Sequence, residues 1–133
     1  MENGIPELIE KAIEARKMAY APYSGFFVGA ALLCADGTVY TGCNIENAAF
    51  SPTNCAERTA IFKAVSEGKR DFVRIAIVGG SKGEMTAPAP CGVCRQVMEE
   101  FCDPAAFEIV MAKSPEEYTV KTLGELLPAG FSL

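Results

Sequence analysis

Residues 54–58 read Asn-Cys-Ala-Glu-Arg and residues 90–94 read Pro-Cys-Gly-Val-Cys, and these two stretches of the 133-residue chain decide its fold and chemistry. Together they form Cys-x-Glu followed by Pro-Cys-x-x-Cys. The thiolates of Cys55, Cys91 and Cys94 can hold one metal ion, and zinc with three protein ligands keeps a fourth position open for water. Because the glutamate of the first stretch stands beside such a site, the pattern predicts a catalytic zinc centre.

Each stretch is expected to begin a helix. Asn54 is a favourable N-cap residue and places Glu57 at the third helical position. Pro90 is typical of a helix start, and Cys91 and Cys94, three residues apart, share one helix face. Two helix N-termini would then meet at one ion, where their dipoles favour thiolate and lower the thiol pKa values.

Each part of the pattern also has a plainer explanation. Glu57 could complete a capping box with Asn54. The pair Cys91 and Cys94 is also typical of a redox dithiol or of half a structural zinc site. The order and spacing of all the parts together favour the catalytic site.

Three further cysteines bear on the kind of site. Cys102 follows Cys94 by about 12 Å of helix at 1.5 Å per residue, so it cannot reach an ion that Cys94 holds at roughly 2.3 Å. We predict that Cys102 is a core thiol. Cys34 and Cys43 lie on a predicted hairpin, and either remains open as a fourth ligand. In that alternative the chain is a zinc-stabilised binding protein with a closed four-thiolate site.

The chain contains no histidine. This excludes Ser-His-Asp triads, Cys–His nucleophilic pairs and His-ligated metal sites, so the third zinc ligand must be Cys55 if the site exists. Three thiolates leave a zinc site with a net negative charge. The neighbouring cations Arg58 and Arg95 are the candidates that would offset this charge.

Length and charge limit the class of protein. We predict a single domain over residues 1–133, long enough to bury a core. The net charge of −5, with Lys and Arg scattered along the chain, argues against a nucleic-acid polymer as partner. Six cysteines without a secretory signal predict a reducing cytoplasm. No apolar run has membrane-spanning length, so we expect no membrane partner.

Apolar periodicity predicts alternating helices and strands. We expect helices at 5–13, from 55, from 91 and at 123–127, and strands at 27–34, 38–41, 72–78, 107–112 and 118–120. This order predicts an α/β domain with a five-stranded mixed sheet, in which an antiparallel hairpin comes first and parallel crossovers follow.

Asn44 and Glu46 are candidates for binding a ligand. In an extended chain the two side chains project to the same side, where an amide and a carboxylate could together bind vicinal hydroxyl groups. Asn-rich segments are more often simple turns, so the residues alone leave this open.

The chain resembles the small homotetrameric cytidine deaminases of pyrimidine salvage, members of the zinc-dependent cytidine and deoxycytidylate deaminase superfamily. The resemblance extends over residues 18–24, 28–32, 42–49, 55–60, 90–96 and 126–131. It implies a three-layer α/β/α cytidine-deaminase-like fold, one zinc ion per subunit, and deamination of free cytidine and 2'-deoxycytidine to uridine and 2'-deoxyuridine with release of ammonia.

The resemblance also implies residue roles. Cys55, Cys91 and Cys94 would bind zinc, and Glu57 would shuttle protons while zinc-bound hydroxide attacks C4 of the pyrimidine. Burial is expected to raise the pKa of a carboxyl group that must both accept and donate a proton. Arg58 would hydrogen-bond the sulfur of a zinc ligand.

Substrate contacts follow from the same resemblance. Asn44 and Glu46 would bind the ribose hydroxyls, which favours a nucleoside as substrate. Phe26 would line the pyrimidine pocket, and the backbone of Ala56 would contact the base. The family positions matched by Phe50, where many members have Tyr, and by Phe131 reach into a neighbouring subunit's active site.

An enzymatic alternative is a relative with another aminated substrate, such as the blasticidin S deaminases. The Asn44–Glu46 pair favours a ribonucleoside over such a substrate, and the rest of the pocket decides.

Overall fold

The computed structural model describes residues 4–133, and every helix and strand expected from the sequence is present. The elements are α1 (Ile5–Arg16), β1 (Phe26–Cys34), β2 (Val39–Cys43), α2 (Ala56–Ser66), β3 (Phe72–Ser81), α3 (Gly92–Phe101), β4 (Glu108–Ser114), β5 (Glu117–Thr122) and α4 (Leu123–Leu126). Within residues 4–133, no helix has the length and apolar character needed to span a membrane.

The five strands form one mixed sheet in the order β2-β1-β3-β4-β5. β1 is antiparallel to both β2 and β3, β3 is parallel to β4, and β4 is antiparallel to β5. The predicted hairpin and the two crossovers through α2 and α3 are confirmed, because β2, β3 and β4 run in the same direction. For the last strand the expectation of a parallel crossover is wrong, because β5 is antiparallel to β4. The link from Ser114 to Glu117 is too short for a crossover, so β5 returns beside β4 as a hairpin.

Helices cover both faces of the sheet. Strand residues alternate between two cores, as the two-residue period of a strand requires: Ala30 and Leu32 face one core and Ala31 faces the other. α1 covers the second core, whereas α2, α3 and α4 cover the first. The predicted three-layer α/β/α arrangement is therefore confirmed.

α2 lies directly against β2. A Cβ atom at Gly42 would stand 2.5 Å from the carbonyl oxygen of Ala56 and 2.6 Å from the nitrogen of Ala60. Only glycine fits this contact, which seats the first turn of α2 on the end of β2.

The topology brings the first turns of α2 and α3 together. Each helix follows the carboxyl end of a strand, and the two strands, β2 and β3, run in the same direction. Both helices lie on one face of the sheet, so their N-termini lie at the same sheet edge. In α/β proteins, ligands bind outside the carboxyl ends of the strands.

Candidate metal centre and active site

Three cysteine thiols lie together where α2 and α3 begin. The Sγ atoms of Cys55, Cys91 and Cys94 are all within 4.8 Å of one another, and Cys55 Sγ is 3.7 Å from Cys91 Sγ. Tetrahedral zinc with Zn–S bonds of about 2.3 Å requires S···S separations of about 3.8 Å. The thiols therefore fit one zinc ion, with a fourth coordination direction left for another group.

The start of α2 differs from the prediction by one residue. Cys55, not Asn54, is the N-cap, and Glu57 is the second helical residue rather than the third. Two backbone hydrogen bonds with Ile45, at 2.9 and 3.0 Å, hold Asn54 outside the helix, and its side-chain amide donates to Thr59 Oγ1 at 3.2 Å. The predicted Asn54 cap and the alternative capping box are therefore wrong.

α3 also begins on a cysteine. Cys91 is its N-cap, and Cys91 Sγ accepts a hydrogen bond from the backbone N–H of Cys94 at 3.4 Å. Pro90 precedes the cap instead of occupying the first helical position. Both helices thus place a cysteine at their positive end, a position that favours thiolate.

Lowered thiol pKa values were predicted at this site. Of the hydrogen-bonded pair Cys55 and Cys94, only Cys55 has a lowered pKa. The hydrogen bond with Cys94, together with the one from Arg58, lowers the pKa of Cys55. The same bond and burial raise the pKa of Cys94.

The two candidate cations have different partners. Arg58 Nη2 donates to Cys55 Sγ at 3.1 Å. Arg95 donates to the carbonyl oxygens of Pro90 and Leu126, both at 2.8 Å. These bonds tie the start of α3 to the C-terminal segment, and the charge-offsetting role of Arg95 stays a prediction.

The remaining cysteines do not join the cluster. Among the residues that the structure describes, the group able to hold a metal ion has only the three thiols named above. Cys34 lies in the core beneath α2 and α3, and Cys102 packs against that core, as predicted. Burial raises the pKa of Cys34, Cys43 and Cys102, that of Cys102 to about 12. The closed four-thiolate site therefore has no support in residues 4–133.

Glu57 is the buried carboxyl group beside the thiols, with an exposed fraction of only 4%. Burial, with a further contribution from Cys55, raises the pKa of Glu57 to about 7. The expected elevation is therefore present. A carboxyl group with this pKa can both take up and release a proton near neutral pH.

A pocket of about 360 Å³ opens onto this centre, a volume within the range of small-molecule sites. Cys55, Cys91 and Glu57 contribute to its lining. The four substrate contacts expected from the sequence also line it: Phe26, Asn44, Glu46 and Ala56. The fold thus brings residues from β1, the segment after β2 and the start of α2 into one cavity.

Sequence reasoning missed several lining residues. Ser24, Pro88 and Ala89 contribute to the pocket wall. Residues 88–89 come directly before the second cysteine stretch, and Ser24 ends the first segment of family resemblance. All three residues lie next to or within the predicted motifs, but none was predicted as a site residue because none carries a charge or a typical metal ligand.

The Asn44 side chain is partly occupied by protein contacts. Its Oδ1 accepts from the N–H of Val28 at 2.9 Å, and its Nδ2 donates to the carbonyl of Phe26 at 2.8 Å. One N–H and one lone pair remain for a ligand.

The Glu46 side chain is also held by the protein. Its Oε1 accepts from the backbone N–H groups of Tyr23 and Ser24, and its Oε2 accepts from the Ser24 hydroxyl. These hydrogen bonds, that of the Ser24 hydroxyl foremost, lower the pKa of Glu46. The carboxylate is thus ionised and still has acceptor capacity.

Phe50 and Phe131 lie outside the lining of this pocket in their own chain. Phe50 is 85% exposed and Phe131 is 63% exposed. Their expected contribution to a neighbouring subunit stays a prediction.

Residues 3–110 match the family model described as the cytidine and deoxycytidylate deaminase zinc-binding region. The chain belongs to this deaminase family. The matched span contains all three clustered thiols, so the predicted cofactor, one zinc ion, is confirmed by the family's zinc-binding region together with the geometry of the cluster.

Curated relatives in this deaminase family are similar along almost their whole length. The chain is 53% identical over 125 residues to a cytidine deaminase of Halalkalibacterium halodurans, covering 94% of this chain and 92% of the relative. It is 49% identical over 128 residues to a cytidine deaminase of Sporosarcina psychrophila, covering 96% and 91%.

Solved structures agree with the fold. A crystal structure of cytidine deaminase from Burkholderia pseudomallei is similar with a TM-score of 0.85 and 50% identity, covering 94% of this chain and 97% of that one. The cytidine deaminase of Mycobacterium tuberculosis gives a TM-score of 0.80 at 38% identity, with 96% of each chain covered. The deaminase fold expected from the sequence is therefore confirmed.

Proposed function

We propose that this member of the deaminase family is a zinc-dependent cytidine deaminase that converts free cytidine and 2'-deoxycytidine to uridine and 2'-deoxyuridine with release of ammonia. The observation that carries the proposal is the placement of Glu57, a buried carboxyl group, and an open three-thiolate cluster in one nucleoside-sized pocket. The biological role that we propose is pyrimidine salvage in the cytoplasm, a compartment in which the six free cysteines stay reduced.

In this proposal Cys55, Cys91 and Cys94 would hold the zinc ion beside the pocket, which Cys55 and Cys91 line. The chemistry that zinc supplies when bound is a lowered pKa for a water molecule, which makes a nucleophile available near neutral pH. Arg58 lies against Cys55 Sγ and offsets the negative charge of the thiolates.

Glu57 is the proton shuttle in this proposal. It takes up a proton from the nucleophilic water and delivers it to ring N3, which makes C4 more electrophilic. A second proton passed through Glu57 to the C4 amino group lets ammonia leave. Burial supports the role because it places the pKa of Glu57 in the range where both protonation states are accessible.

The remaining pocket residues position the nucleoside. Phe26 packs against the pyrimidine, and Asn44 and Glu46 bind the ribose hydroxyls with the donor and acceptor capacity that their protein contacts leave free. The backbone N–H of Ala56, in the first turn of α2, has no intrahelical acceptor and is available to the base.

We further propose a homotetramer in which Phe50 and Phe131 complete the active site of a neighbouring subunit. The exposure of both aromatic side chains in the single chain supports this arrangement, since large exposed apolar side chains often mark interaction surfaces.

The test is ammonia release from a panel of aminated compounds: cytidine, 2'-deoxycytidine, adenosine and blasticidin S. We expect turnover of the first two. Turnover of blasticidin S with neither cytidine compound would overturn the proposed substrate.

Glu57→Gln separates the shuttle from the metal site. The variant should keep zinc but lose nearly all turnover, because an amide cannot carry the proton. Glu100→Gln, at an exposed position of α3, is the matched control and should keep both. Near wild-type deamination by Glu57→Gln would exclude Glu57 as the shuttle.

A further inference from the structure

The Ser24 hydroxyl lies between the residue expected to bind the sugar and the residue expected to face the base. It donates to Glu46 Oε2 and accepts a hydrogen bond from the backbone N–H of Phe26 at 3.0 Å. The backbone N–H of Ser24 adds a bond to Glu46 Oε1 at 3.1 Å. Ser24 therefore holds both oxygens of one carboxylate and the main chain of Phe26 at the same time.

The local backbone is shaped for this contact. Gly25 has a φ of +68°, and its N–H donates to the carbonyl of Ala21 at 3.0 Å. The resulting turn lets the Ser24 hydroxyl reach the N–H two residues further on, a recurring serine turn contact. A side chain at position 25 would be strained in this left-handed conformation.

Phe26 is held from the other side as well. The Asn44 amide donates to the carbonyl of Phe26, so the N–H and the carbonyl of one residue are bonded to Ser24 and to Asn44. The polar pair after β2 and the aromatic residue at the start of β1 thus form one connected network around the pocket opening.

We propose that Ser24 is a positioning residue that fixes the Glu46 carboxylate relative to Phe26, so that the pocket recognises the sugar hydroxyls and the base of one nucleoside together. This inference rests on the proposed function. Without the Ser24 hydroxyl, Glu46 Oε2 loses its side-chain donor, and the carboxylate is held only through Oε1 by the backbone N–H groups of Tyr23 and Ser24, so that Oε2 can turn away from the sugar. The loss falls on sugar binding, because none of the hydrogen bonds of this network involves Glu57 or the three thiols.

A serine that only closed a surface turn would behave differently. Replacing such a serine would lower the stability of the protein, or would raise the KM of every substrate by the same factor. A general loosening of the turn would not depend on whether the substrate carries sugar hydroxyls. Distinguishing a positioning role of Ser24 from a purely structural one therefore requires two substrates that differ only in the vicinal sugar hydroxyls.

The test compares Ser24→Ala with the wild type, both zinc-loaded, on cytidine and on 2',3'-dideoxycytidine, which lacks both vicinal hydroxyls. We expect the KM for cytidine to rise about tenfold, the scale of one hydrogen bond to a charged group. We expect kcat to stay within about twofold, and the KM for the dideoxy compound to change by less than about twofold. Ser24→Thr, which keeps a hydroxyl, should restore most of the cytidine KM, and Ser51→Ala, at an exposed position, should match the wild type.

A double-mutant cycle provides the second measurement. In a Glu46→Gln background the effect of Ser24→Ala on the cytidine KM should shrink, because the two residues act through one contact. Equal KM increases for both substrates, an unchanged cytidine KM, or full additivity with Glu46→Gln would overturn the inference while leaving the deaminase intact. A wild-type protein that releases no ammonia from cytidine would instead overturn the proposed function.

Discussion

Arg58 shows how one side chain beside the metal centre sets its charge. Its guanidinium donates to Cys55 Sγ at 3.1 Å, and this contact raises the pKa of Arg58 while it helps to lower that of Cys55. A site built from three thiolates and no histidine depends on such a cation, because each thiolate adds a negative charge next to the others.

Arg58→Ala should therefore weaken zinc binding by about 10- to 100-fold, the usual scale for a residue that contacts a metal ligand. Competition with a chromophoric chelator measures the affinity. Arg70→Ala is the matched control, since the exposed Arg70 side chain donates to the carbonyls of Val65 and Lys69, away from the thiols. Equal zinc affinity in both variants would mean that Arg58 does not contribute to zinc binding.

Cys102 provides a second test at the residue scale. Burial raises its thiol pKa to about 12, so the thiol stays protonated until the pH approaches that value. We expect mass spectrometry to find Cys102 unalkylated after iodoacetamide treatment of the native protein at pH 8, and alkylated after unfolding. Rapid modification of the native protein at pH 8 would contradict the packing of Cys102 against the core.

At the scale of elements, the contact of α2 with β2 positions the metal centre. Gly42→Ala would place a Cβ within 2.6 Å of two backbone atoms of α2, and a backbone contact cannot be relieved by a rotamer change. We expect a loss of about 1–3 kcal/mol in the free energy of unfolding, the usual cost of overpacking, measured by urea denaturation. Gly92→Ala, where nothing lies within 4 Å of the added atom, is the control and should be close to neutral.

One residue of α1, Arg16, bonds to β1, to the end of β3 and to the loop after β3. Arg16 Nε donates to the carbonyl of Phe27, and Arg16 Nη2 donates to the carbonyls of Gly80, Ser81 and Glu84, at 2.8 to 2.9 Å. The chain then leads through Pro88 and Ala89, which line the pocket.

Arg16→Ala should speed hydrogen exchange of the amides of residues 81–87, because the guanidinium that joins this loop to β1 is gone. Lys17→Ala removes only an exposed ion pair with Glu14 and should leave those amides unchanged. Unchanged exchange in the Arg16 variant would mean that the loop is held by other contacts.

The sequence predicted which helices and strands are present better than it predicted their first residues and the contacts between them. The three clustered thiols and Glu57 are foreseeable because their chemistry is local to two short motifs. The N-cap at Cys55 is not, since it depends on the pairing of Asn54 with Ile45, residues that meet only in the folded chain. The partners of Ser24, Arg16 and Arg95 were not predicted for the same reason: the Glu46 carboxylate and the backbone carbonyls that they contact come from parts of the sequence far from these residues.

At the scale of the whole molecule, two exposed aromatic side chains, Phe50 and Phe131, are available to neighbouring subunits. Phe50 contributes to a small depression next to the pocket, together with Glu46 and Thr53, and Phe131 lies near the C-terminus, where its carbonyl accepts a hydrogen bond from Gln96. In the proposed tetramer these surfaces are covered by neighbouring subunits.

Phe50→Ser should lower the assembled mass, or raise the KM if the tetramer persists, without unfolding the chain, because Phe50 is 85% exposed in the single chain. Sedimentation velocity at several concentrations measures the mass, and circular dichroism checks the fold. A wild-type protein that sediments as a monomer at all concentrations would contradict the proposed assembly.

The most direct measurement of the central claim is cytidine turnover as a function of zinc occupancy. Wild-type protein is stripped with a chelator, reloaded with known amounts of zinc, and assayed for ammonia release. Activity should be absent without zinc and rise linearly until one ion is bound per chain. Full activity in the stripped protein, or no activity at one zinc per chain, would contradict a reaction centred on the ion that Cys55, Cys91 and Cys94 hold.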